Sequence, residues 1–139
     1  MAIKINTEKR IFTLETKHTM YQMQADTYGV LRHLWYGAKT GCDMSYLQDY
    51  PDVGFSGNPH DAGNDRTYSL DTLPLEYAGA GIGDFRVPAV EAVHADGSCA
   101  LDLRYYSYTV KQGKYAIAGL PALYAGEDEA ETLEVVLRD

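Results

Sequence analysis

The chain has 139 residues and a formal net charge of −8, and this acidity argues against nucleic acid binding, which requires clustered Lys and Arg to displace counterions from phosphates. No window approaches the roughly 18 consecutive apolar residues of a membrane span, so we expect a soluble protein. The length fits one domain. The start of the chain lacks a secretory signal, which predicts a cytoplasmic protein whose Cys42 and Cys99 stay reduced.

Strand patterns follow one another from near the start of the chain. Residues 11–16 and 18–25 alternate apolar and polar side chains, which is typical of strands with one buried face. Residues 26–29 have the composition of a turn, and residues 30–36 then return as a third strand. The three segments therefore predict neighbouring antiparallel strands.

Leu31, His33 and Trp35 alternate along the third predicted strand, and this places them on one face of the sheet. A histidine in that pattern is better interpreted as packed than as a metal ligand. The four histidines lack the short spacings of zinc ligands, and the two cysteines form no CxxC motif. The glycines of residues 79–83 do not fit a dinucleotide-binding loop. We therefore predict no metal and no cofactor.

Later segments predict a second group of strands. Residues 85–94 and 99–110 flank Asp96 and Gly97, a pattern typical of a β-hairpin. Residues 132–137 alternate apolar and polar side chains up to the end of the chain. Helical periodicity is nearly absent, so we predict an antiparallel all-β fold in which two packed sheets form a β-sandwich.

A stretch of about 25 residues, 41–65, has the Gly, Pro, Asn and Asp content of a loop. Loops of this length are usually functional or disordered. Tyr46, Tyr50 and Phe55 give this one aromatic material to pack, which favours a functional loop. The 12 tyrosines and one tryptophan of the chain leave two interpretations open, since aromatic rings stack on sugars but also fill β-sheet cores.

Within and after this loop, short motifs follow one another. They are Asp52, FSGNP at 55–59, DRT at 65–67, SLD at 69–71, GDFRVPA at 83–89, GKYAIAGLPALY at 113–124 and EAETLEVVL at 129–137. In this order they resemble the amino-terminal domain of the bacterial α-galactosidases of glycoside hydrolase family 36. The resemblance covers essentially the whole chain. It implies that residues 1–139 are an amino-terminal β-supersandwich domain, truncated from a larger enzyme.

The resemblance also implies an activity for the intact enzyme. Family members remove terminal α-linked galactose from raffinose-type oligosaccharides or melibiose with retention of configuration, without a metal or organic cofactor. Their two catalytic aspartates lie on a (β/α)₈ barrel that follows this domain in the same chain. No acidic residue here matches the motifs of those aspartates, so we predict no catalytic residue in this chain and no activity of the chain alone.

Asp52, Arg66 and Phe55 are the candidate substrate-binding residues. Asp52 and Arg66 match loop residues that, in tetrameric family members, reach into the substrate pocket of a neighbouring subunit. A carboxylate can accept hydrogen bonds from sugar hydroxyls, a guanidinium can donate to them, and Phe55 could wall a sugar face. Each residue also has a structural alternative, in which Asp52 and Arg66 pair to order the loop and Phe55 anchors it by burial.

The resemblance further implies a homo-oligomer, a tetramer in the family, in which this domain shapes the galactoside pocket and supports assembly. Two alternatives remain open. An independent carbohydrate-binding module would explain the aromatic content. A purely structural assembly domain would explain the same residues without any contact to a ligand.

Overall fold

The computed structural model describes residues 2–48, 52, 58–122 and 124–139. Within these residues, six strands form two antiparallel sheets, and the prediction of a two-sheet all-β sandwich is confirmed. The strands are β1 (Ala2–Asn6), β2 (Ile11–Glu15), β3 (Thr19–Ala25), β4 (Leu31–Ala38), β5 (Arg104–Gln112) and β6 (Glu131–Arg138), and short 3₁₀ helices span Ser45–Gln48, His60–Ala62 and Glu127–Glu129. Across the described residues, no helix is long and apolar enough to cross a membrane.

The first sheet is an antiparallel meander in the order β1-β2-β3-β4. Phe12 of β2 lies opposite Ile5 of β1 and Met23 of β3. Directly opposed residues project to the same face, so the two-residue period of each strand gathers these apolar side chains on one side. β1 was not among the strands predicted from the sequence, because only Ile3 and Ile5 mark its apolar positions.

A β-bulge interrupts the pairing of β3 with β4. Gln22 lies opposite Trp35 and Met23 opposite His33, which leaves Leu34 as an extra residue on β4. The extra residue reverses the alternation beyond it. His33 therefore shares the sandwich face with Met23, whereas Trp35 projects to the other face beside Gln22. The prediction that Trp35 and His33 lie on one face is wrong, because periodicity alone does not reveal the bulge.

The second sheet pairs β5 with β6. The predicted hairpin is wrong in its first arm, since residues 85–94 form no strand, and its second arm, predicted over residues 99–110, is a strand only from Arg104. The turn itself is present, with the His94 N–H donating to the Ser98 carbonyl over 2.9 Å. Pro88 cannot donate to a sheet ladder, and the N–H of Ala89 instead donates to the carbonyl of residue 78 over 2.9 Å. β5 consequently finds its partner in β6.

The sandwich core lies between the two sheets. Phe12 has an exposed fraction of 0%, and its ring centroid lies 5.8 Å from that of Tyr105 and 5.3 Å from that of Tyr108 on β5. Ala25 and Leu31 complete the buried part of this cluster, and apolar residues of both sheets pack around it, namely Ile5, Met23, Leu133, Val135 and Leu137. Alternation along the strands thus builds one continuous apolar layer.

The opposite face of the four-stranded sheet is covered by the start of the long loop. Ile11, Met20, Leu34 and Met44 form a buried cluster there, with Trp35 packed against it. Gln22 fixes the loop, because its side chain accepts from the Met44 N–H and donates to the Cys42 carbonyl, each over 3.0 Å. Both faces of this sheet are therefore packed, and the loop leaves the sheet from a defined position.

Candidate functional site

Two of the three candidate residues meet in the structure. Arg66 Nε lies 3.2 Å from Asp52 Oδ2, and the two side chains are 61% and 50% exposed. Phe55 lies outside the described residues, so its role stays a prediction. The pair places a guanidinium and a carboxylate side by side at the surface, a combination that can donate to and accept from neighbouring sugar hydroxyls. The same ion pair also suits a residue pair that only orders the loop.

Arg66 lies in a turn that is closed by hydrogen bonds on both sides. Asp65 Oδ1 accepts from the Thr67 N–H over 3.0 Å and from Thr67 Oγ1 over 2.6 Å. These bonds from Thr67 lower the pKa of Asp65 below its usual value, so its carboxylate stays charged. The Tyr68 N–H donates to the Asp65 carbonyl over 3.2 Å, and Asn58 Nδ2 donates to the same carbonyl. The backbone on either side of Arg66 is thereby held.

A buried carboxylate in the turn between β3 and β4 anchors this segment to the sheet. Asp26 is 5% exposed and accepts from the backbone N–H groups of Tyr28 and Val30, each over 2.9 Å. The Tyr68 hydroxyl donates to Asp26 Oδ2 over 2.6 Å, and Arg32 Nε lies 3.3 Å from the same oxygen. These partners compensate the buried carboxylate for the hydrogen bonds to water that it loses. Burial, reinforced by the bond to Asp26, raises the pKa of the Tyr68 hydroxyl, so Tyr68 remains a donor.

The composition of residues 26–29 predicts only a turn and does not reveal this role of Asp26. The available signal was the Asp at the first position of that turn. Such residues often bond backbone amides a few positions onward, as Asp26 does with Tyr28 and Val30. The contact with Tyr68, 42 residues away along the chain, has no counterpart in local sequence.

A polar pocket of about 240 Å³ lies between this turn and the candidate loop. It is lined on one side by Asp26 and Arg32 and on the other by Gln48, Asp65 and Thr67. Gln48 Oε1 is buried and accepts no hydrogen bond within the described part of the chain, whereas the buried Arg32 Nε forms an ion pair with Asp26 without a hydrogen bond. The amide oxygen of Gln48 is an acceptor, so the pocket suits a small hydrogen-bond donor.

The GDFRVPA motif contains an ion pair, the polar clamp formed by Asp84 and Arg86, which is bonded to the segment that follows the Arg66 turn. Asp84 has an exposed side-chain fraction of 0%, and Arg86 donates to it through Nε over 2.9 Å and through a terminal nitrogen over 3.0 Å. Burial opposes the charge on Asp84, but the bonds from Arg86 outweigh it and lower the pKa of the carboxyl below its usual value. Arg86 also donates to the Leu70 carbonyl over 2.6 Å. The motif thereby ties residues 84–86 to the SLD segment.

The remaining chemical candidates have structural explanations. His33 Nδ1 lies 2.9 Å from Glu76 Oε1, and its ring meets the edge of Tyr21 at a centroid distance of 5.2 Å. This agrees with the interpretation of His33 as a packed sheet histidine. Among the described residues, no group of three or more His, Cys, Asp or Glu side chains could hold a metal ion.

A second cavity is apolar and lies at the open side of the sandwich. Its volume is about 630 Å³, and its walls include Leu31, Leu101, Leu133 and Val135. Few polar groups face it, so it suits an apolar surface better than a sugar. The polar candidates and the apolar cavity are therefore distinct features of the domain.

Comparison with known proteins agrees with this architecture. The family model of the glycosyl hydrolase family 36 N-terminal domain matches residues 29–139. The bifunctional alpha-galactosidase/sucrose kinase AgaSK of Mediterraneibacter gnavus is 54% identical over 100% of this chain, which covers 15% of that protein. The solved galactosidase domain of AgaSK matches with a TM-score of 0.93 over 99% of this chain and 19% of that one.

A crystal structure of the GH36 alpha-galactosidase AgaA from Geobacillus stearothermophilus in complex with raffinose is also similar. It is 40% identical with a TM-score of 0.81, covering 91% of this chain and 18% of that one. This chain thus spans less than a fifth of the length of these relatives. On the match of the family model and the identity over the full chain, the protein belongs to the glycosyl hydrolase family 36 N-terminal domain family.

Proposed function

We propose that this chain is the non-catalytic amino-terminal domain of an α-galactosidase. The intact enzyme removes terminal α-linked galactose from oligosaccharides such as raffinose, or from melibiose, with retention of configuration. The observation that carries the proposal is the 54% identity over the whole chain with a relative named as an alpha-galactosidase. The exposed free thiols of Cys42 and Cys99 support a reducing compartment such as the cytoplasm.

The catalytic pair belongs to a partner domain of the same protein. Retaining glycosidases need two carboxyl groups about 5 Å apart, and in this proposal both lie on a catalytic barrel outside residues 1–139. The test compares the full-length protein with the isolated chain on an aryl α-galactoside. We expect turnover from the full-length protein only. Activity of the isolated chain that persists through repurification would overturn the division of labour, and an inactive full-length protein would overturn the activity.

In the same proposal, the loop from Asp52 to Arg66 completes the substrate pocket of a neighbouring subunit, and the domain supports the oligomer. Asp52 and Arg66 are joined at 3.2 Å, yet each keeps at least half of its side chain exposed. Such a pair can contact a sugar brought to the surface by another subunit. Phe55, outside the described residues, is proposed to wall one face of that sugar.

We expect Asp52→Ala and Arg66→Ala each to lower kcat/KM of the full-length enzyme by about 5- to 150-fold, corresponding to about 1–3 kcal/mol for hydrogen bonds that involve charged groups. The unfolding midpoint should hardly change, because exposed ion pairs contribute little to stability. Mixed oligomers should regain activity, since a wild-type neighbour supplies its loop to a mutant subunit's pocket. Full activity of both variants in an intact oligomer would show that the loop is structural.

One observation favours the alternative of a purely structural assembly domain. The Asp52–Arg66 ion pair spans the loop and could order it without touching a substrate. The charge-reversed double variant Asp52→Arg with Arg66→Asp separates the two functions. It preserves an ion pair, so a structural role predicts near-normal activity, whereas a substrate-binding role predicts a loss as large as that of the alanine variants.

A further inference from the structure

We propose that Tyr68 is a positioning residue for Arg66, and that it acts by fastening the Arg66 turn to Asp26 in the turn between β3 and β4. This inference rests on the proposed contact between Arg66 and substrate. It assigns a task to a buried tyrosine and a buried carboxylate that the proposed substrate contacts leave unused. The four-stranded sheet then determines where the guanidinium of the exposed loop lies.

The Asp26 end of this connection is rigid. The Asp26 N–H donates to the Val30 carbonyl over 3.0 Å, and the Gly29 N–H donates to the Asp26 carbonyl over 3.1 Å, which closes the turn. Asp26 is 5% exposed, and its carboxylate accepts hydrogen bonds from the backbone N–H groups of Tyr28 and Val30. Arg32 Nε at 3.3 Å balances its charge. The acceptor that meets Tyr68 is therefore fixed in position by groups of the sheet itself.

The Tyr68 end is equally well defined. Tyr68 is 6% exposed, and its ring meets the edge of Tyr28 at a centroid distance of 4.7 Å and an interplanar angle of 69°. Its hydroxyl donates to Asp26 Oδ2 over 2.6 Å. Its backbone N–H bonds the carbonyl of Asp65 over 3.2 Å. Arg66 and one further residue are thus enclosed between two tethered positions.

Asp52 completes the arrangement from the solvent side. Its carboxylate lies 3.2 Å from Arg66 Nε, so the side chain is oriented by Asp52 while its backbone is held through Tyr68. A guanidinium donates in a fixed plane, and its hydrogen bonds weaken steeply when the angle changes. Small displacements of a positioned group can cost a large factor in rate. Loss of the Tyr68 hydroxyl should therefore displace the Arg66 guanidinium and weaken its hydrogen bonds to the substrate.

The experiment is a double-mutant cycle in the full-length enzyme with Tyr68→Phe, Arg66→Ala and the two combined. We expect Tyr68→Phe alone to lower kcat/KM by about 3- to 10-fold, as for loss of one hydrogen bond to a charged group. In the Arg66→Ala background the same change should cost less than about 2-fold, because no guanidinium remains to be positioned. Assays are run well below the unfolding midpoint of every variant, as measured by circular dichroism.

Tyr21→Phe is the matched control. The Tyr21 hydroxyl also donates to a carboxylate, that of Glu76, but its ring packs against His33 and Tyr36 and not against the Arg66 turn. It should lower the unfolding midpoint without changing kcat/KM by more than about 2-fold. This separates loss of a tyrosine–carboxylate bond in general from loss of the bond that positions Arg66.

The outcomes distinguish this inference from the function on which it rests. If Arg66→Ala keeps full activity, the proposed substrate contact is wrong, and Tyr68 has nothing to position. If Arg66→Ala lowers activity but Tyr68→Phe does not, the positioning role alone is overturned. It is also overturned if the two losses multiply in full, because independent effects show that Tyr68 acts on the fold and not through Arg66.

Discussion

The sandwich and the loop region that follows β4, here its described residues 58–86, are stabilised by different interactions. In the sandwich, Phe12 and its neighbours are buried because strands with a two-residue period face each other. In the loop region, Tyr68 donates to the buried carboxylate of Asp26, 42 residues away in the turn between β3 and β4. Arg86 bonds the nearby buried carboxylate of Asp84 and also donates to the Leu70 carbonyl, 16 residues away. Apolar residues contribute there as well, and Leu70 and Leu73 are each 1% exposed. The sandwich therefore depends on buried apolar area, and the loop region depends on an apolar cluster together with hydrogen-bonded buried carboxylates.

This difference has a functional consequence. A loop held from below by polar centres can keep its outer side chains exposed, as Asp52 and Arg66 are. A sandwich held by packing has no comparable freedom, since its interior side chains touch on every side. Substitutions should therefore separate into those that reduce the stability of the sandwich and those that reduce the order or chemistry of the loop.

The largest expected effect is a loss of stability caused by a substitution in the core of the sandwich. Phe12→Ala should lower the free energy of unfolding by about 3–5 kcal/mol, because a fully buried aromatic ring is lost and a cavity remains. Urea denaturation followed by circular dichroism measures the change. Val87→Ala is the control, since Val87 is 91% exposed and should shift stability by less than about 0.5 kcal/mol. An equal effect of the two substitutions would contradict the assignment of the core.

A smaller effect should come from the polar clamp of the loop region. Arg86→Ala removes the partner of Asp84, whose side-chain exposure is 0%, and should cost about 1–3 kcal/mol of unfolding free energy. Lys111→Ala is the control, because it breaks an exposed pair with Glu134 and should cost less than about 1 kcal/mol. If the two variants unfold at the same urea concentration, the ion pair between Arg86 and the buried Asp84 contributes no more to stability than the exposed pair does.

The smallest effect should appear in the pH dependence of the unfolding midpoint, through Asp43 at the start of the long loop. The hydrogen bond from Lys9 over 2.7 Å, with a further bond from Ser45, lowers the pKa of Asp43 from 3.8 to about 2. A lowered folded-state pKa stabilises the fold above the unfolded value, and this contribution is lost as the pH falls. Wild type should therefore exceed Asp43→Asn in unfolding midpoint above pH 3.8, and the two should converge as the pH approaches 2. A constant difference across that range would argue against the ion pair.

Local pattern predicted the strands that have one clean apolar face, namely β2, β3 and β6. It predicted β4 as a strand but misplaced Trp35, because a single inserted residue at Leu34 reverses the faces and leaves no mark in composition. It also predicted a strand at residues 85–94 from apolar residues beside a good turn. Those residues bond elsewhere, and Val87 and Val93 are 91% and 75% exposed.

The candidate site also has features that the sequence predicted and features that only the fold determined. The motifs around Asp52 and Arg66 were recognisable in sequence, and the chemistry of a carboxylate beside a guanidinium followed from the residue types. Only the folded structure shows that the two side chains meet at a distance of 3.2 Å. The roles of Asp26 and Tyr68 could not be read locally, because a hydrogen bond between residues 42 positions apart depends on how the loop packs onto the sheet.

The sequence by itself determined the all-β class, the order of the strands with regular alternation, and the family to which the chain belongs. These properties depend on residue type and short-range spacing, which the linear chain contains in full. Only the tertiary structure decided the bulge at Leu34, the pairing of β5 with β6, and the tether from Asp26 through Tyr68 to the Arg66 turn. Each of these features depends on which distant backbone or side-chain group forms a hydrogen bond with a polar atom that becomes buried. The partner is determined only when the whole chain packs.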